Sequence, residues 1–294
     1  MARFAIQQIR LNNVLYPGVT GYGIDPGDQI EAQGSDGTLH NTAHHRLSTR
    51  PMADLTSMSI KSLIAALNGS SEIPMLALDG TNGLEMFFAQ AASSGPGYTA
   101  GSTHSRRQAL RGLIYVASVR WSKGGRAELG LRALFKSADG TTTTITPATT
   151  VALPTSPTSD AAFGLESLSI GGTACPEVDD LELTIDPKFE HEYSYGLPEP
   201  TDILGAGVKG QVDVQLAATV GNVTAGTGTG ATSIGLRKFA HGGGWSTDTV
   251  TFTLNGVWSI ESGIEARVGG DANHRLTVRT RHDGVNRPLT WATA

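Results

Sequence analysis

The feature that most limits the fold of this chain is that it repeats itself. Ile9-Arg-Leu-Asn-Asn-Val-Leu-Tyr-Pro17-Gly-Val19 aligns with Leu168-Ser-Ile-Gly-Gly-Thr-Ala-Cys-Pro176-Glu-Val178, an offset of 159, with the apolar alternation and the proline in step. Ile24-Asp25-Pro26 matches Ile185-Asp186-Pro187 at 161, and residues 83–87 match 235–239 more weakly at 152. The C-terminal parts align without a gap at 144: Gly112 with Gly256, Val116 with Ile260, Ser118 with Ser262, Asp139-Gly140 with Asp283-Gly284 and Ile145 with Leu289. Offsets that fall in order describe one unit copied in tandem, shortened in the middle of its second copy. The copies span 1–147 and 165–294, each of ordinary domain size. The stretch 148–164, rich in Thr, Ser, Ala and Pro, reads as an extended linker.

Inside each copy the apolar residues alternate with polar ones. Ile9/Leu11, Leu168/Ile170, Leu181/Leu183/Ile185, Val212/Val214/Leu216, Val250/Phe252/Leu254 and Leu276/Val278 keep a period of two, the signature of half-buried strands. Gly is 37 of 294 residues and charged residues only 17%, which favours strands and turns over helices. Leu84, Met86 and Phe88 extend the strand reading, and Asp79-Gly80, Asp139-Gly140 and Asp283-Gly284 read as hairpin turns. One short helix is expected at Ile60, Leu63, Ile64 and Leu67, capped by Ser57 or Ser59 and ended by Asn68-Gly69. The fold class is therefore all-β: two tandem antiparallel β-sandwich or barrel domains, each with at most one short helix. Two polar segments, 27–51 and the shorter 188–200, read as hairpin arms.

Chemistry is sparse. No apolar run reaches the ~18–20 residues of a membrane span, and no signal-peptide core is visible. A single cysteine, Cys175, excludes an intrachain disulfide. His40, His44 and His45 sit in a non-helical context without a matching carboxylate, and Gly226-Thr-Gly-Thr-Gly230 lacks the rest of a phosphate loop. No Gly-x-Ser-x-Gly elbow is present, so no enzyme, cofactor or metal is expected. The first copy has 13 basic and 10 acidic residues, a net +3; the second has 9 and 16, a net −7. Acidic residues crowd between 177 and 202, with Asp179, Asp180, Glu182 and Glu190 as candidates for a charged lumen or interface. Trp121, Trp245, Trp258 and Trp291 leave a carbohydrate-binding module open as the alternative reading.

The order of features resembles the tail tube (major tail) proteins of long-tailed bacteriophages. The similar features are a strand-turn-strand around a proline at 9–24 and 168–185, an arm with a Ser35-Asp36-Gly37 turn, and a strand with a short helix at 55–67. The last is an Asp283-Gly-Val-Asn-Arg-Pro-Leu289 turn before the final strand. The first copy departs at that turn, and the second lacks the helix and has a short arm. The resemblance implies a virion protein made in the bacterial cytoplasm, forming a homotrimeric ring with pseudo-six-fold symmetry, or a hexamer. Such rings stack into a tube that contacts other tail proteins and conducts genomic DNA. It also implies that arm residues Ser35, Asp36, Gly37, His40, Glu192 and Tyr193 reach the adjacent ring.

Overall fold

In a computed structural model the chain is nearly all β. The structure describes residues 3–16, 18–25, 27–34, 41–67, 72–91, 103–152, 162–204, 212–221, 223–240, 243–261, 274–280 and 287–294. The first half contains β1 (Arg3–Leu11), β2 (Val14–Tyr16), β3 (Val19–Asp25), β4 (Gln29–Gly34), β5 (Asn41–Ser48), β6 (Met52–Ser57), α1 (Ile60–Ala66), β7 (Met75–Ala91), β8 (Thr103–Ser122), β9 (Glu128–Phe135) and β10 (Thr146–Ala152). The second contains β11 (Phe163–Ile170), β12 (Thr173–Ala174), β13 (Glu177–Asp186), β14 (Glu190–Glu192), β15 (Asp202–Leu204), β16 (Asp213–Gly221), β17 (Gly226–Phe239), β18 (Trp245–Glu261), β19 (His274–Thr280) and β20 (Leu289–Thr293). Sixteen strands share one antiparallel sheet, while the arms form two-stranded sheets, β4 with β5 and β14 with β15.

The ladder order occurs twice. The first half runs β2-β1-β7-β8-β9-β6-β3 with β10 also on β8. The second runs β12-β11-β17-β18-β19-β16-β13 with β20 also on β18. Registers repeat with it. Leu11 pairs with Val14 and Ile170 with Thr173. A bulge between Ile6 and Gln8 recurs between Leu165 and Ser167, and one between Val19 and Gly21 recurs between Val178 and Asp180, all offset by 159. Two of the sequence matches shift accordingly. Ile24 pairs with Ala53 beside Leu55 as Leu183 pairs with Leu216 beside Ala218, so Ile24-Asp25 lies over Leu183-Thr184. The Ile-Asp-Pro likeness is two residues out of step because β13 runs longer. Leu78 pairs with Gly112 and Gly230 with Gly256, an offset of 152, but an irregularity between Asp79 and Leu84 then resets it. Beyond it Phe88 faces Ile6 as Leu236 faces Leu165, so residues 83–87 do not overlie 235–239.

One glycine per half lets a single long strand serve two layers. β8 pairs with β10 up to Gln108 and with β9 from Gly112, and β18 passes from β20 to β19 between Leu254 and Gly256. A Cβ on Gly112 would lie 2.1 Å from the Leu134 carbonyl oxygen, and one on Gly256 2.1 Å from that of Arg279. Backbones approach too closely at both corners for any side chain. The core fills the space between the layers, with Ile9, Leu84 and Met86 of one layer and Leu55, Leu131 and Val116 of the other, all fully buried. Helix α1 adds Ile60, Leu63 and Ile64.

Several local expectations need correction. Asp79-Gly80 lies inside β7, where the ladder to β8 continues on both sides, and so is no hairpin turn. Asp139-Gly140 does turn the chain, but it joins β9 to β10, which both pair with β8. There the Asp139 carboxylate accepts the Thr141 and Thr142 N–H groups, an Asx turn. Asp283-Gly284 and Asn68-Gly69 lie outside the described residues. Ser59 begins α1 without a side-chain cap; the Ser57 hydroxyl instead accepts the Ser59 N–H at 3.1 Å. Of the linker, 148–152 belong to β10 and 163–164 to β11.

Candidate functional site

The most informative place is the seam between the halves. β13 pairs with β16 on one side and, on the other, with β8 of the first half, from Asp180 opposite Ser122 to Thr184 opposite Ser118. The seam fuses the inner layers into one sheet, β3-β6-β9-β8-β13-β16-β19-β18. Leu181 and Leu183 point to its core side and are buried. Residues directly opposite share a face, so Asp180 and Glu182 lie on the side away from the core, with Arg120 and Ser122. Arg120 donates to Glu182 at 2.7 Å and Lys123 to Asp179 at 2.9 Å. Arg132 and Asp54, at 2.7 Å, extend the charged face into the first half. A cleft of about 510 Å³ opens at the seam, bounded by Arg120, Trp121, Arg126, Asp180 and Glu182.

Two further contacts tie the halves. Lys61 of α1 reaches Asp248 of β18 at 2.6 Å, and Lys238 lies 3.4 Å from the same carboxylate. The Lys61 hydrogen bond holds the Asp248 carboxyl below its usual range. The second arm lies against the first half. Tyr193 donates its hydroxyl to the Thr49 carbonyl, the Thr49 hydroxyl donates to buried Glu199 at 2.7 Å, and Lys136 pairs with Asp202 at 2.6 Å. Phe189 sets its ring edge-on to Tyr115 at 5.3 Å.

The expected site residues therefore separate. Ser35, Asp36, Gly37 and His40 lie outside the described residues. His44 and His45 are in β5, opposite Ala32 and Glu31. Glu192 is exposed on β14 opposite Asp202, Tyr193 is half-buried, and the fully exposed tip of that arm is Tyr195. Asp179, Asp180 and Glu182 gather at the seam, while Glu190 stands apart opposite Leu204. The tryptophans do not share a surface: Trp121 borders the seam cleft, Trp258 packs over Gly228, Trp291 faces Phe252, and Trp245 stacks on Phe239 at 4.5 Å. Cys175, the counterpart of Tyr16, packs against the core, and burial pushes its thiol up, away from nucleophilic use. Among the described residues no three His, Cys, Asp or Glu side chains group as metal ligands.

Sequence reasoning missed two features. Glu85, its side chain 5% exposed, is held between Arg10 and Arg106, and Arg10 also lies over the Phe87 ring. Arg106 finds this partner 21 residues upstream, in the adjacent strand. The seam was also missed, because a strand pattern does not say which edge meets which.

Comparison with protein-family models gave no match, and comparison with curated proteins gave none.

Proposed function

We propose that this chain is a structural, non-catalytic building block that closes with copies of itself into a ring, the tail tube subunit of a phage. One observation carries the reading. The two halves have the same ladder order, and the strand that begins the inner layer of the second, β13, is paired with β8 of the first. Its counterpart, β3, pairs with β6 and with no other described strand. The residues that correspond to the receiving end of β8, 262–266, lie outside the described residues. A contact made once inside the chain is thus available once more between chains. Head-to-tail contacts of this kind close into rings when the rotation per subunit divides a full turn.

The sheet supports the scale. Each chain brings eight inner-layer strands, so three chains bring twenty-four. At ~4.8 Å between strands and a tilt of ~40°, these close a barrel about 48 Å across at the backbone. The face away from the core would line it, carrying Asp54, Glu128, Asp180, Glu182 and Glu261 with Arg120, Arg132, Arg275 and Arg279. An overall negative lining lets a polyanion pass without sticking. Negative-stain microscopy of the purified chain tests this: rings or tubes on the order of 100 Å across are expected. Monomers persisting under assembly-promoting conditions would overturn it.

A second reading, a carbohydrate-binding, baseplate or adhesion module, draws on the exposed Phe239–Trp245 stack. It requires saturable glycan binding that Trp245→Ala abolishes.

A further inference from the structure

We infer that the β3 edge is built to receive a second copy of this chain through backbone and apolar contacts alone, without ion pairs. This inference rests on the ring-forming reading above and specifies its contact. The comparison is internal. On β13, the edge already covered in the chain, Asp179, Asp180 and Glu182 face β8, and two of them pair with Lys123 and Arg120. At the offset of 159 the corresponding residues of β3 are Thr20, Gly21 and Gly23. All three carboxylates are gone, and two positions have no side chain at all. A Cβ on Gly23 would meet nothing within 4 Å in the single chain, so the glycine answers no crowding there.

Exposure separates the twins in the same sense. Leu181 on the covered strand is 2% exposed, whereas Tyr22 at the matching place keeps 41%. Solitary edges are commonly defended by Lys, Pro or inward charges against pairing with another chain. β3 carries none of these before Asp25. An edge of glycine, threonine and apolar residues fits another backbone closely and brings no charge of its own into the contact. The occupant is the second half of a neighbouring copy, because β18 of that half holds the place in the ladder that β8, on which β13 sits, holds in the first.

The sign of the salt effect follows. Ion-paired contacts weaken as salt screens them. A contact without ion pairs, between chains of net charge −5, instead holds or tightens, because salt screens their mutual repulsion. Sedimentation velocity of the full chain across 0.1–1 M NaCl reads this as the concentration at which half of it is assembled. That concentration is expected to stay level or fall. A tenfold rise would overturn the inference while leaving ring formation standing. The double variant Thr20→Asp, Gly23→Glu restores two of the carboxylates of β13, one at an exposed position and one where a Cβ meets nothing within 4 Å. With an unchanged melting temperature it should need at least tenfold more protein to assemble at 0.1 M NaCl. The neutral pair Thr20→Val, Gly23→Ala should assemble like the parent. Equal assembly of the charged variant would overturn the inference. Absence of assembly by the parent at every salt concentration would instead remove the ring-forming reading on which it rests.

Discussion

Gly112→Ala is the most informative single substitution for the fold. The added Cβ would sit 2.1 Å from the Leu134 carbonyl oxygen, where C···O contact normally begins near ~3.3 Å. Relief requires opening the β8–β9 ladder by about 1 Å at the point where β8 changes partner, weakening one or two hydrogen bonds worth ~0.5–1.5 kcal/mol each. Gly112 also has φ +147, which a side chain tolerates only at ~1–3 kcal/mol. Together these cost about 2–4 kcal/mol, and at ~2–4 °C per kcal/mol the melting temperature falls by about 4–16 °C. Gly256→Ala, with the matching close approach to Arg279, should behave alike through its steric part. Gly23→Ala, whose Cβ meets nothing, should stay within ~0.5 kcal/mol. Urea and thermal unfolding followed by circular dichroism measure all three. Indistinguishable melts for Gly112→Ala and Gly23→Ala would refute the claim that the strand corner requires glycine.

Other expectations follow from the core, the seam and the buried charge. Leu183→Ala, fully buried at the seam, should cost about 2–5 kcal/mol by chemical unfolding, above Ile24→Ala at the matching, partly buried place. Glu85→Ala should destabilise by about 1–3 kcal/mol, moderated because Arg10 and Arg106 keep some solvent, and Glu85→Ala with Arg106→Ala should cost less than the sum of the single changes. His191 is held below the ordinary imidazole value by burial, partly offset by hydrogen bonds to the Phe135 and Pro51 backbone. The unfolded chain therefore takes up a proton there first, so stability falls as pH drops through about 6.5 and below. His191→Gln should flatten the melting temperature between pH 7.5 and 5.5.

Much of the fold was legible because burial alternates where the sequence alternates. Leu181/Leu183/Ile185, Val250/Phe252/Leu254 and Leu276/Val278 all lie in strands with those residues inward, and Ile60, Leu63 and Ile64 form the buried face of α1. The stretch from Ile9 aligned the halves correctly because the two-residue turns Asn12-Asn13 and Gly171-Gly172 set the same register. Ile-Asp-Pro did not, because β13 outruns β3 and a short identity at a strand end carries no register. Asp79-Gly80 misled because a bulge uses the same residues as a turn. At the candidate site, Asp179, Asp180 and Glu182 drew notice by charge alone. That their partners would be Arg120 and Lys123 follows from edge pairing between the halves, which no local pattern encodes.

Amide hydrogen exchange on β3 and β13, measured in the monomer and in assembled material, addresses the central claim most directly. The amides of β13 should be protected in both states, since β8 already covers that edge. Those of 19–25 should gain at least tenfold protection only on assembly. Assembled material in which 19–25 exchange as fast as in the monomer would contradict it.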